Sequence, residues 1–235
     1  MTAKEIMAEL QAHGEAKLKA ILVKHGIKEP FFGVKIEFLK TIQKKVKKDN
    51  RLALELYATG NADAMYLAGL IAEDEKMTLT DLNTWVKKAL SNNINEYTVP
   101  WVTAGNPAGF ELALQWIDAK EEHIATAGWS ALANIVALKP DTELDLPKLK
   151  TLLDRVVKTI HTSPNRVRYH MNGFVTAVGI YVAPLTKAAI ATAKAVGAVS
   201  VDMNGTACKV PDANENIAKA GTRGVLGKKK KTVKC

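Results

Sequence analysis

The sequence has few of the features that mark secreted, membrane-bound or metal-dependent proteins. It contains only two cysteines, Cys208 and Cys235, which match no zinc motif and do not suggest a disulfide framework. No apolar run approaches the roughly 18 residues that a membrane-spanning helix needs. The first residues include acidic side chains and lack the apolar stretch of a secretory signal. We therefore expect a cytoplasmic protein that does not bind a membrane.

Motifs for several common kinds of enzyme chemistry are also missing. The sequence contains no Gly-rich phosphate-binding loop and no Ser or Cys nucleophile in a recognisable tight turn. Its five histidines are scattered without the spacing of metal ligands. The sequence thus predicts neither a metal site nor a cofactor site.

The net charge of +9 is unevenly distributed along the chain. Residues 221–235 contain six basic residues and no acidic one, and the remaining residues include 27 basic and 24 acidic side chains. Four of the six are consecutive: Lys228, Lys229, Lys230 and Lys231. A second, more diluted basic cluster extends from Lys35 to Arg51. Such clusters bind polyanions or only keep a surface solvated, and both interpretations remain open here.

Residues 163–181 form the most informative stretch of the chain. Their apolar side chains recur at intervals of three and four residues, which predicts a helix with one apolar face. We expect Ser163 to cap this helix and Pro164 to occupy its first turn. Arg166 and Arg168 then lie near a helix N-terminus, which favours anions, and guanidinium groups bind phosphate in a bidentate way. These two arginines and Lys35 are our candidate phosphate contacts, with a solvated basic turn as the alternative.

Apolar spacing predicts helices along almost the whole chain. They cover residues 2–24, the segment from residue 36, and residues 51–58, 63–72, 80–90, 107–117, 121–137, 146–160, 164–181 and 184–196, with a polar loop at 91–100. Three central helix pairs begin about 38 to 46 residues apart, the period of HEAT and armadillo repeats. We therefore predict an all-α fold, a HEAT/armadillo-like α-solenoid of antiparallel helix pairs, with a plain helical bundle as the alternative.

The last forty residues have a different pattern. Asn204-Gly205 lies between two alternating segments, which predicts a small C-terminal β-hairpin. The basic tail after Gly221 is expected to be disordered or to add a short third strand. We thus predict a helical repeat domain over residues 1–197, followed by the hairpin and the basic tail over residues 198–235.

Two segments resemble the bacterial DNA alkylation repair family. They are FFGVKIEFLKTI at residues 31–42 and RVRYHMNGFVTAVGIYV at residues 166–182, with helix pairs between them. The resemblance covers about residues 10–195. It implies a HEAT-like-repeat protein whose basic concave face holds duplex DNA by its backbone. Some members of that family are DNA glycosylases that excise alkylated purines, with an aspartate and tryptophans in the cleft.

The catalytic positions of those glycosylases are not matched in this sequence. Their Trp-x-x-x-Asp aligns with Ile94 and Thr98, and a later tryptophan aligns with Phe174. A shifted register would instead place Glu96 and Trp101 in the cleft, together with Tyr97. Glu96 would then be the carboxylate that stabilises the charge developing on the sugar, and Trp101 the aromatic that attracts a cationic base.

The resemblance leaves three functional hypotheses. The first is a DNA-binding protein related to alkylation repair glycosylases, with Glu96 and Trp101 as candidate catalytic residues. The second is a noncatalytic protein that binds duplex or branched DNA, and the third is a helical scaffold for protein partners. In the first two, Trp129 is a candidate DNA-contacting aromatic, and Lys228–Lys231 either grip DNA nonspecifically or only solubilise the tail.

Overall fold

The computed structural model describes residues 1–235 and contains thirteen α-helices and no β-strand. The helices are α1 (Ala3–Ala12), α2 (Ala16–Lys24), α3 (Ile36–Val46), α4 (Asn50–Ala58), α5 (Ala62–Ile71), α6 (Leu79–Lys88), α7 (Val99–Gly105), α8 (Gly109–Trp116), α9 (Glu122–Leu138), α10 (Leu146–Thr159), α11 (Asn165–Tyr181), α12 (Thr186–Val196) and α13 (Ala213–Thr222). The prediction of an all-α fold is confirmed.

The chain folds into two compact units. The first unit consists of residues 1–108, 204–206 and 234–235, and the second of residues 109–203 and 207–233. The core of the first unit is α5, in which every residue is buried, as its apolar composition predicts. Helices α3 and α4 and a π-helical turn at Ile94–Thr98 pack around it.

The second unit is built around α9 and α11. Helix α9 packs against α8 and α11, and α11 also contacts α12 and α13. Gly128 lets α9 approach α8 closely, because a Cβ atom there would lie 2.7 Å from the Ile117 nitrogen and 2.9 Å from the Ala113 oxygen. Large side chains fill the space between α9 and α11, where Trp129 and Phe174 meet edge to face at 5.3 Å.

The predicted single helix over residues 2–24 is wrong. It is two helices, α1 and α2, separated by residues 13–15. Gly14 lies in this break, where an added Cβ atom would come within 2.7 Å of the Phe32 carbonyl oxygen. The close approach of the Phe32 backbone therefore explains the glycine in this break, which apolar spacing alone does not reveal.

The predicted C-terminal β-hairpin is also wrong, because the structure contains no strand. The turn itself forms, with positive φ angles at Asn204 and Gly205. The backbone before the turn is bonded to a side chain instead of a strand: Asn165 donates to the Asp202 carbonyl at 2.9 Å and accepts from the Asp202 N–H at 2.7 Å. After the turn, residues 213–222 form α13, which sequence analysis missed.

No single helix of this chain combines the length and the apolar composition needed to cross a membrane. Only residues 165–181 and 183–196 together meet that composition, and the two are bent by 113° at the break between them.

Candidate functional site

The segment expected to be a polar loop, residues 91–100, is helical. It contains the π-helical turn Ile94–Thr98, which continues directly into α7. Its polar side chains bond to nearby backbone: Thr98 Oγ1 donates to the Asn93 carbonyl at 3.1 Å, and Asn95 Nδ2 donates to the Ala89 carbonyl at 3.0 Å. Single π-turns are frequent at functional sites.

This turn brings together the residues proposed for catalysis. Glu96, Tyr97 and Trp101 lie within one short segment, and Tyr66 of α5 packs against the Trp101 ring with 5.3 Å between ring centroids. Glu96 is only 3% exposed and Trp101 only 6% exposed, whereas Tyr97 is 44% exposed. The arrangement is therefore a packed aromatic cluster with a buried carboxylate, and of Glu96, Tyr97 and Trp101 only Tyr97 is open to solvent.

Two residues from the end of the chain complete this part of the first unit. The Lys234 ammonium donates to the Asp74 carboxylate at 2.5 Å, and the Cys235 side chain lies near the Tyr66 phenol. Burial, and then the neighbouring Cys235 side chain, raises the pKa of Tyr66. Burial also raises the pKa of Asp74, and the nearby Lys234 ammonium opposes that shift.

Lys234 is the most perturbed cation of the described chain. Burial lowers its pKa to about 8, against the opposing effect of Asp74, and the neighbouring Lys48 ammonium lowers it further. We expect the Lys234 amine to titrate near pH 8 in an NMR experiment that follows the Nζ resonances of the lysines. Asp74→Asn should lower the midpoint further, because it removes the charge that favours the ammonium form.

Glu73→Gln is the matched control for this prediction. Glu73 pairs with Lys76 at 2.8 Å, so its neutralisation should leave the Lys234 midpoint in place. A midpoint that moves up toward the usual lysine value of 10.5 in Asp74→Asn would show that the ammonium had returned to water, contrary to the prediction.

The basic cluster of the first unit is exposed. Lys35 precedes α3 and pairs with Glu15 at 2.7 Å, which raises the pKa of the Lys35 ammonium. Along α3 and just after it, a row of lysines makes no ion pair: Lys40, Lys44, Lys45 and Lys47. Cations without a carboxylate partner are available to an external anion, and this row is the largest such group in the unit.

Arg166 and Arg168 are half-buried at the start of α11. The predicted Ser163 cap is wrong, because the Ser163 hydroxyl donates to the Thr159 carbonyl. The Glu122 carboxylate accepts the Arg166 backbone N–H at 2.6 Å instead, so an acidic side chain of α9 occupies this helix N-terminus. The Arg166 guanidinium lies 4.6 Å from the Tyr169 ring centroid, and Arg168 Nε is buried without a hydrogen-bond partner.

Trp129 lies in the core of the second unit. It is 1% exposed, and besides Phe174 it contacts Arg155, whose guanidinium carbon is 5.7 Å from its ring centroid. That guanidinium is itself bound to the Asp118 carboxylate at 2.6 Å. A direct contact of Trp129 with DNA would require this packing to open.

The basic tail is ordered against the second unit. The Lys229 ammonium pairs with Asp141 at 2.8 Å and donates to the Val136 carbonyl, and the Lys230 N–H donates to the Ala137 carbonyl at 2.8 Å. The Lys230 ammonium lies 5.6 Å from the Tyr181 ring centroid. Lys228 and Lys231 are exposed and make no ion pair, so only part of the tail is available to an external anion.

Comparison with known proteins assigns the chain to a family. A family model described as "DNA alkylation repair enzyme" matches residues 6–216. This chain belongs to the DNA alkylation repair enzyme family. The match confirms the resemblance that residues 31–42 and 166–182 indicate.

Two uncharacterized Listeria proteins are similar to this chain over almost their whole length. One, from Listeria monocytogenes, is 32% identical over 229 residues, which cover 95% of this chain and 99% of the relative. The other, from Listeria innocua, is 31% identical over the same coverage. A solved structure superposes with a TM-score of 0.91 and 37% sequence identity over 100% of both chains. It represents a family described as related to the HEAT-like repeat DNA glycosylases, with affinity for branched DNA structures.

Sequence reasoning missed several parts of the site in this DNA alkylation repair family member. It found Glu96, Tyr97 and Trp101, but not Tyr66, which completes the aromatic cluster from α5. It also missed the pairing of Asp74 with Lys234, which are 160 residues apart in the chain. No local pattern marks such a pair, because only the fold brings the two residues together.

Proposed function

We propose that this protein binds branched DNA and does not excise bases. The relationship to the family with affinity for branched DNA structures carries the proposal, since the likeness extends over the whole of both chains at 37% identity. We further propose that the helices form a HEAT-like α-solenoid that holds the DNA by its phosphates. The candidate contacts are Lys35, Arg166, Arg168 and the unpaired lysines of α3 and of the tail.

The position of Glu96 supports a noncatalytic role. A carboxylate that stabilises charge on a deoxyribose must reach the sugar, and Glu96 is 3% exposed inside the first unit. Trp101, the candidate partner for a cationic base, is 6% exposed. Neither residue presents its functional group to a bound strand, and the aspartate of the glycosylases is replaced by Thr98.

The test of DNA binding compares a four-way junction with a linear duplex of the same sequence, at roughly 50 and 200 mM salt. We expect tighter binding to the junction and a steep loss of affinity at the higher salt concentration. Lys44→Gln/Lys47→Gln should weaken binding and reduce the salt slope by up to about 2, because each lost phosphate contact lowers it by about 0.9. Fluorescence anisotropy with labelled DNA measures both quantities.

Lys76→Gln/Lys219→Gln is the matched control, since it removes the same charge from two lysines that are already paired with Glu73 and Glu215. It should leave the salt slope nearly unchanged. Equal effects of the two double variants would mean that net charge alone governs binding. Absence of binding at the lower salt concentration would exclude DNA as the partner and favour the protein-scaffold hypothesis.

A glycosylase with Glu96 as its carboxylate is the second candidate function. The grouping of Glu96 and Tyr97 on the π-turn with Trp101 of α7 favours it. Its test is the release of free bases from methylated DNA by the wild type and by Glu96→Gln. We expect no release from either protein, whereas release that Glu96→Gln abolishes would establish the enzyme and contradict our proposal.

A further inference from the structure

The first unit contains an apolar cavity that the proposed DNA contacts do not use. Its volume is about 280 Å³. Six aliphatic side chains form most of its wall: Leu18, Leu22, Ile27, Val34, Ile36 and Leu39. The Tyr66 side chain, which packs against Trp101 in the aromatic cluster, also lines the cavity. An apolar cavity of this kind favours the binding of a small planar or aliphatic group.

One polar residue that lines the cavity has a buried atom without a partner. Asn93 Oδ1 is buried and accepts no hydrogen bond. The Asp63 carboxylate, by contrast, already accepts the backbone N–H groups of residues 32, 33 and 34. A buried acceptor without a donor is unfavourable, so a ligand that brings one N–H group to Asn93 would gain from this position.

The wall formed by α2 is loosely held. None of its nine residues is buried, although Leu18 and Leu22 line the cavity. Ile21 is 48% exposed and Val23 is 53% exposed on the same helix. A helix that buries so little apolar surface can be displaced at small cost, which would let a ligand reach the cavity.

Cations lie beside the cavity. Lys35 lines it together with Ile36 and Glu37, and the unpaired lysines Lys40 and Lys44 continue along the same face of α3 from Ile36. A ligand for this place would therefore have a small apolar body, an N–H donor and an attached chain of negative charges. These are the properties of a nucleotide within a DNA strand.

We propose that this cavity binds a single unpaired nucleobase of the DNA, with Asn93 Oδ1 accepting an N–H of its Watson–Crick edge and the lysines of α3 binding its backbone. The inference rests on the proposed DNA binding. The base must be unpaired, because pairing would occupy the N–H that Asn93 needs. All four bases have an N–H donor on that edge, so the site selects unpaired structure rather than sequence.

Photo-crosslinking locates the base directly. A junction carrying one unpaired 5-iodouracil at its branch point is irradiated with the full-length protein, and the linked peptide is identified by mass spectrometry. We expect linkage to Tyr66. Leu18→Trp should fill the cavity, abolish this linkage and weaken binding of the branched DNA about tenfold, as expected for the loss of one base contact.

Ile21→Trp is the control, since it adds the same side chain to the same helix at a position that does not line the cavity. It should retain the linkage and the affinity, and thermal unfolding of both variants checks that they fold alike. Linkage to Tyr66 that persists in Leu18→Trp, or linkage only to residues outside the cavity, would overturn base docking while DNA binding stands. Absence of junction binding by the wild type would overturn the proposed function itself, and base docking with it.

Discussion

Replacement of Gly128 by alanine should destabilise the protein by about 2 kcal/mol, as expected for an atom added to a packed interior. The new Cβ atom would lie 2.7 Å from the backbone nitrogen of Ile117 and 2.9 Å from the carbonyl oxygen of Ala113. Backbone atoms cannot rotate away as a flexible side chain can, so α8 and α9 would have to separate. Chemical denaturation followed by circular dichroism measures the change in the free energy of unfolding.

Gly173→Ala should have the opposite effect. Gly173 lies inside α11, and an added Cβ atom would meet nothing within 4 Å. Alanine is preferred to glycine within a helix by about 1 kcal/mol, and no steric cost offsets that gain here. If the two variants shifted the free energy of unfolding in the same direction, the close approach of α8 and α9 at Gly128 would be refuted.

Asp63→Ala should cost about 3 kcal/mol or more, the largest single effect we expect in the first unit. Its carboxylate accepts backbone N–H groups from Phe32 at 2.6 Å, Gly33 at 3.0 Å and Val34 at 3.3 Å. Burial raises the pKa of Asp63, and these three donors oppose the shift. Alanine would leave the donors without a partner in the interior, and the loop that leads into α3 would lose its anchor.

Asp49→Ala is the comparison for this prediction. Asp49 caps α4 by accepting one N–H, that of Leu52 at 2.9 Å, so its loss should cost about 1 kcal/mol. Urea denaturation of both variants at neutral pH measures the difference. Equal costs would mean that the Asp63 carboxylate does not hold the loop of residues 32–34 in the way its three bonds indicate.

The sequence predicts those elements that periodicity alone determines. Helix α5 is recognisable because its residues are apolar all round, and α3, α9, α10 and α11 follow from their apolar spacing. Residues 91–100 escape this reasoning, because Asn93, Asn95 and Thr98 are typical of turns. In the buried helical turn that they form, the Asn95 side chain bonds to the Ala89 carbonyl at the end of α6, and the Thr98 hydroxyl bonds to the Asn93 carbonyl.

The sequence likewise predicts some residues of the candidate site but not the long-range contacts around it. Glu96 and Trp101 are neighbours in the sequence, so a motif comparison finds both of them. The bonds of Asn165 to Asp202 and of Asn172 to the Pro211 carbonyl, at 2.8 Å, are long-range side-chain contacts that replace the expected strand pairing. No spacing rule predicts them, since each depends on where α11 places an amide group.

The assignment of residues 234–235 to the first unit has a consequence for the order in which the protein is completed. During synthesis, residues 1–108 leave the ribosome first, but Lys234 and Cys235 follow only after all of residues 109–203. Until then Asp74 lacks its hydrogen bond to Lys234, although the Lys48 ammonium of the first unit is already near it. The nascent first unit must therefore tolerate a half-buried carboxylate that has one neighbouring cation instead of two while residues 109–203 are made.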